Sequence, residues 1–210
     1  MERIAALCGQ EDALNRVAQL RRHVGDLRQK LKSVERPGVL RLMGDGPGSL
    51  RVPTQVAFQY DVIRIAGGEP MPVHGVDAYQ TVSIDDVCRF NPDVVLCCGK
   101  TKLEKPRPRC KGCTWKHPVC QRDVEDVMDW EMWGDITAVS ERRFYPLPCG
   151  LSCRPGPRIV ESIEAVAKLL HPEISLTEGS INIRILTVPA QSSDPPAPPN
   201  PHHRNHVHLP

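Results

Sequence analysis

Asn91-Pro92-Asp93-Val94-Val95-Leu96-Cys97 joins a proline turn to an unbroken apolar run, the pattern of a strand buried on both faces in a parallel sheet. Just before it, Ile84–Phe90 reads as a short helix with Ser83 as its N-cap. Further upstream, Val39–Met43 is a second apolar strand, followed by the loop Gly44-Asp45-Gly46-Pro47-Gly48. Gln55–Ala66 is a helix stopped by Gly67-Gly68. Downstream, Val124–Met132 reads as helical and Phe144–Leu147 as a strand. Arg158–Leu170 is an amphipathic helix closed by His171-Pro172, with Ile159, Ile163, Val166, Leu169 and Leu170 on one face. Strands alternating with helices in this way predict an α/β layer with a mainly parallel sheet.

At the N-terminal side, Leu14, Val17, Leu20, Val24, Leu27 and Leu31 recur in steps of three and four and predict a long helix lying on the domain. Glu35-Arg36-Pro37-Gly38 ends it. Residues 174–210 change character. Ile181–Val188 can form one more strand, and Gln191–Pro210, rich in proline, serine and histidine, reads as a disordered tail.

Composition narrows the function classes. A net charge of +2, with the basic residues scattered, gives no footprint for nucleic acid. No apolar run approaches the roughly 20 residues that a bilayer span needs. Gly99-Lys100-Thr101 is no phosphate loop, because the glycine required five positions earlier is Val94. Asp85 and Asp86 are neighbours on a helix and point apart, so they are no paired-carboxylate site. No Ser-His-Asp or Cys-His order comes with a supporting turn, and the chain is expected not to be an enzyme.

Nine cysteines remain, of which Cys97, Cys98, Cys110, Cys113, Cys120, Cys149 and Cys153 crowd one region. Cys98, Cys110, Cys113 and Cys120 read C-x11-C-x2-C-x6-C, with His117 nearby. A C-x2-C pair turns two thiolates onto one ion, and two more complete a zinc or iron–sulfur site. Disulfides and plain thiols are the alternatives, and Cys149 and Cys153 can join either arrangement.

From about Gln10 to Glu173 the chain resembles the C-terminal part of the periplasmic binding proteins for cobalamin and iron siderophores, the capture components of ABC importers. The likeness rests on several segments in the family's order: Arg36-Pro37-Gly38-Val39-Leu40 after the long helix, Ala66-Gly67-Gly68, Val82-Ser83-Ile84-Asp85-Asp86-Val87 and Asn91-Pro92-Asp93-Val94-Val95. Trp133-Gly134-Asp135-Ile136-Thr137-Ala138-Val139, Arg154-Pro155-Gly156-Pro157-Arg158 and Leu170-His171-Pro172-Glu173 complete it.

The resemblance implies a connecting helix over 1–36 and a Rossmann-like C-terminal lobe over 37–173, with a cysteine-rich insertion at 97–120. The tail 174–210 is unrelated to the family. It implies a binding function for cobalamin or an iron chelate, with the Gly44–Gly48 loop, Tyr79, Gly150, Leu151 and Ser152 at the positions that touch the chelate. Asp85 stands where the family docks a carboxylate on the permease, so ABC permease and ATPase subunits are the implied partners. The family's N-terminal lobe would precede this stretch and is absent from the chain as given. Location is periplasmic or cell-surface by resemblance; read literally, without a signal peptide, the chain is expected to be cytoplasmic. The insertion leaves a second expectation, an iron–sulfur or zinc-binding redox or sensor protein built on the same lobe.

Overall fold

The computed structural model describes residues 11–44, 46–106, 118–156 and 158–176. Strands Gly38–Leu42 (β1), Arg51–Pro53 (β2), Glu69–Pro70 (β3), Tyr79–Thr81 (β4), Val94–Cys98 (β5) and Phe144–Leu147 (β6) form two sheets. The larger has the order β3-β1-β5-β6 with every pair parallel, and β2 pairs antiparallel with β4. Helices are Glu11–Lys30 (α1), Phe58–Ile65 (α2), Ile84–Phe90 (α3), Val124–Met128 (α4), Thr137–Ser140 (α5), Cys149–Ser152 (α6) and Ile159–Leu170 (α7).

Successive side chains of a strand point to opposite faces, and both faces of this sheet are buried. Leu40, Leu42, Val95, Cys97 and Phe144 pack with Val87, Val124, Val127 and Trp133 on one side. Val39, Val94, Leu96 and Leu147 pack on the other with Leu27, Leu31, Val62, Ile63, Ile163 and Val166. Helices therefore cover both faces, which is why the strands carry continuous apolar runs. The same alternation puts Arg41 and Cys98 on the face of α1, α2 and α7, with Cys97 opposite. β1 and β5 run in register from Val39↔Val94 to Leu42↔Cys97, so Arg41 and Cys98 end side by side.

Local chemistry agrees with these elements. Ser83 caps α3: its Oγ accepts from Asp86 N at 3.1 Å, and Asp86 Oδ2 accepts from Ser83 N at 3.3 Å. Trp133 donates Nε1–H to Val127 O at 2.6 Å and meets Phe144 edge-on, with centroids 5.7 Å apart.

The two short strands β2 and β4 were beyond reach of periodicity, since three residues, in β2 ending on a proline, hold no readable alternation. The helix expected over Val124–Met132 stops at Met128 and gives way to a separate 3-10 turn, Glu131–Trp133. The helix expected from Gln55 begins at Phe58. The strand expected at Ile181–Val188 and the tail lie outside the described residues.

The insertion is tied at both ends. Lys100 N donates to Arg122 O at 2.9 Å and Val124 N to Lys100 O at 2.8 Å. Lys100, nearly buried, forms an ion pair with Asp123, so the lysine of Gly99-Lys100-Thr101 is engaged by a carboxylate. Gly99 is required there: a Cβ on it would stand 2.6 Å from Arg122 O.

Candidate functional site

In an open parallel sheet, polar side chains gather where the strands end, because loops and helix starts leave a crevice there. Arg41 is the strongest such signal. It sits one residue before the end of β1, is 3% exposed, and is a cation in an otherwise apolar strand. Burying a charge is costly unless it is paired and hydrogen-bonded.

Arg41 meets that demand through its two terminal nitrogens, without a carboxylate, and leaves Nε buried without a partner. Its Nη1 donates to Leu96 O at 3.1 Å and Leu42 O at 3.4 Å. Its Nη2 donates to Ser152 Oγ at 3.1 Å and to Cys98 Sγ at 3.2 Å. Cys98 Sγ lies 3.8 Å from Cys153 Sγ. The hydrogen bond from Cys153, followed by the charge and hydrogen bond of Arg41, holds the Cys98 thiol well below the usual range despite its burial. Cys153 is pushed up, first because its S–H is held by the Cys98 sulfur and then by burial. Burial alone favours the neutral form of Arg41, yet the neighbouring Cys98 and Cys153 sulfurs raise its affinity for the proton. Cys97, on the opposite face, is pushed up to about 12 by burial.

A second ring of contacts adjoins this cluster. Gln59 of α2 donates Nε2 to Tyr79 Oη at 2.7 Å and to Ser152 O at 3.2 Å. Arg51 lies over the Tyr79 ring at 5.2 Å. Arg158 Nη2 donates to Gly150 O at 2.9 Å. On the other side of the loop after β1, Arg122 donates to Gly44 O at 3.2 Å and stacks over Trp130 at 5.3 Å.

Of the residues expected to touch a chelate, Tyr79 and Ser152 thus meet through one glutamine, and Gly150 and Leu151 belong to the same helical turn, α6. Asp85 is exposed in the first turn of α3, away from this cluster on the chain. Of the four cysteines expected to hold a metal, Cys98 faces Cys153 and Arg41, and Cys120 lies in the 3-10 turn Val119–Gln121. Cys110 and Cys113, with His117, are outside the described residues. Among the described residues no group of three or more His, Cys, Asp or Glu is placed to hold a metal ion. Arg41 and Gln59 were the site residues that pattern reading passed over. The available signal was Arg41 itself, one charge inside Val39-Leu40-Arg41-Leu42.

The chain has the fold of periplasmic solute-binding proteins, among whose solved members are ABC transporter substrate-binding and heme-binding proteins. It superposes on an ABC transporter substrate-binding protein from Listeria monocytogenes with a TM-score of 0.65 and 22% identity, over 81% of this chain and 62% of that one. The periplasmic heme-binding protein RhuT from Roseiflexus gives a TM-score of 0.61 and 19% identity, over 80% and 59%. In sequence, the chain is 34% identical over 93 residues to the high-affinity heme uptake system protein IsdE of Staphylococcus aureus, covering 40% of this chain and 32% of the relative. It therefore spans about a third of the length of the curated relatives it matches. No protein-family model matches it. Among the described residues no helix is long and apolar enough to cross a membrane.

Proposed function

We propose that this chain supplies the C-terminal lobe and connecting helix of a solute-binding protein that hands heme or another ferric chelate to an ABC importer. The observation that carries this reading is the shared fold over about four-fifths of the chain, joined to a sequence match with a heme uptake protein. Residues 1–36 contain the connecting helix and 37–173 form the lobe, whose core also takes in Leu176 just past that boundary. Cobalamin is the alternative cargo; it too is a large metal chelate suited to a wide cleft.

Helix α1 supports this assignment. Leu27 and Leu31 are 3% exposed against the lobe, whereas Leu14, Val17 and Leu20 on the same stripe are only half-buried. A stripe that continues past its own lobe suits a brace between two lobes. Such a brace limits the ordering that opposes ligand binding.

On this reading the chelate lies at the C-terminal ends of β1, β5 and β6, against Tyr79, Gly150, Leu151 and Ser152. Asp85, exposed on α3, meets basic residues of the permease, and the ABC permease with its ATPase are the partners of a binding protein held in the periplasm or at the cell surface. The chain's role is to bind and release, with no covalent step.

Titration with hemin, a ferric hydroxamate siderophore and cobalamin, followed by visible absorbance, tests this. The expected outcome is a saturable one-to-one spectral shift with at least one of the iron compounds, weakened by Tyr79→Ala. Saturation by cobalamin alone would reassign the cargo, and no saturable shift with any of the three would overturn the reading.

A further inference from the structure

We propose that Cys98 and Cys153 form a redox-active dithiol that closes reversibly into a disulfide, with Arg41 as the group that favours the reduced form. This goes beyond the chelate reading and stands without it.

The geometry carries it. The two sulfurs lie 3.8 Å apart, although 55 residues separate them in the chain. A disulfide bond is about 2.0 Å long, so closing it needs an approach of about 1.8 Å, within reach of side-chain rotation and a small shift of the one-turn helix α6. Cys98 ends a strand of the central sheet and is fixed, while Cys153 follows α6 and is half-buried. A small molecule can therefore reach Cys153 first.

Arg41 sets the balance. Its buried guanidinium has two backbone carbonyls, one hydroxyl and the Cys98 sulfur as partners, and no carboxylate among them. The Cys98 thiolate is thus the anion that compensates a buried cation. Oxidation removes that anion and leaves the guanidinium facing a neutral disulfide. A couple whose reduced form is stabilised in this way is oxidising, and its disulfide is easily reduced.

The exchange balances with a small-molecule disulfide as oxidant. The Cys153 sulfur attacks one sulfur of that molecule while its proton passes to Cys98, and the first thiolate leaves. This thiolate takes the proton from Cys98. The Cys98 thiolate then attacks Cys153 Sγ, forming the protein disulfide and expelling the second thiolate. Two electrons pass from the protein to the small disulfide, which becomes one thiol and one thiolate. Because Ser152 precedes Cys153 and bonds both Arg41 and Gln59, closure also moves the contacts that hold Tyr79.

Equilibration in glutathione redox buffers, acid quenching, alkylation and non-reducing peptide mapping test the proposal on the full chain. The expected result is a peptide pair linked through Cys98 and Cys153 that forms only at oxidising ratios and is lost on return to reduced glutathione. Arg41→Met is expected to let the disulfide form at a glutathione ratio about tenfold more reducing, since its thiolate is no longer favoured. Arg41→Lys, which keeps a charge at that position and serves if the methionine variant does not fold, is expected to shift the ratio in the same direction by less. Cys97→Ala is expected to leave the ratio unchanged. Linkage of Cys98 to a different cysteine, an unmoved ratio in both Arg41 variants, or stoichiometric metal on Cys98 and Cys153 in the purified protein would each overturn it.

Discussion

Arg41 and Cys98 show how one charged side chain organises a site. The strand that carries Arg41 is buried on both faces, so its guanidinium must find every partner inside the molecule. Two carbonyls of adjacent strands, a serine and a thiol take the two terminal nitrogens, while Nε is buried without a partner. The folded-state value of Cys98 lies near about 5, below the ordinary 9.0, so its stabilising contribution is complete above pH 9 and is lost as the pH falls through about 5. Cys153 is raised, and its contribution is complete below that same ordinary value, so the pair does not offset the trend. Urea denaturation is therefore expected to show stability rising from about pH 5 toward pH 9, with Cys98→Ser flattening the slope. Thiolate absorbance in the ultraviolet, retained at neutral pH and lost near pH 5, checks the same assignment, and retention in Cys98→Ser would contradict it.

At the scale of elements, helix α3 and the ends of the insertion are held by short-range chemistry. The reciprocal bonds of Ser83 and Asp86 satisfy backbone donors that the first turn leaves open. Ser83→Ala is expected to cost about 1 kcal/mol, read from the shift in urea midpoint at unchanged slope. Gly99→Ala places a methyl group against Arg122 O and must displace the segment that returns beside Lys100. Limited proteolysis is expected to cut the segment between Thr101 and Arg122 faster in that variant, and an unchanged cleavage rate would show that it is anchored elsewhere. The α3 cap was legible in the sequence because Ser83 is three residues before an acidic partner. The pairing of β2 with β4 was not, because antiparallel partners of three residues each are chosen by the surfaces they meet rather than by their own pattern.

For the whole molecule, the two-faced core decides which parts of α1 matter. Leu27 and Leu31 sit in the layer with Val62, Ile63, Ile163 and Val166, so Leu27→Ala or Leu31→Ala is expected to cost about 2–5 kcal/mol. Leu14→Ala, on the half-buried end of the same stripe, is expected to cost less than about 1 kcal/mol. Calorimetry on the three variants separates a helix anchored at one end from one packed along its length. A similar loss for Leu14 would remove the support that α1 gives to the two-lobe reading.

The apolar runs at Val39 and Val94, the capping serine, and the helical stripes of α1 and α7 fix the class of fold by themselves, because burial on two faces and on one stripe leave different periodicities in a sequence. The resemblance to chelate-binding proteins was also legible, in short segments kept in one order. Spacing grouped Cys98 with Cys110, Cys113 and Cys120 and left Cys149 and Cys153 able to join, since spacing sees neighbours along the chain and not which sulfurs meet. Tertiary structure sets Cys98 beside Cys153 and Arg41, because strand register and the alternation of side chains bring distant residues to the same edge of the same face.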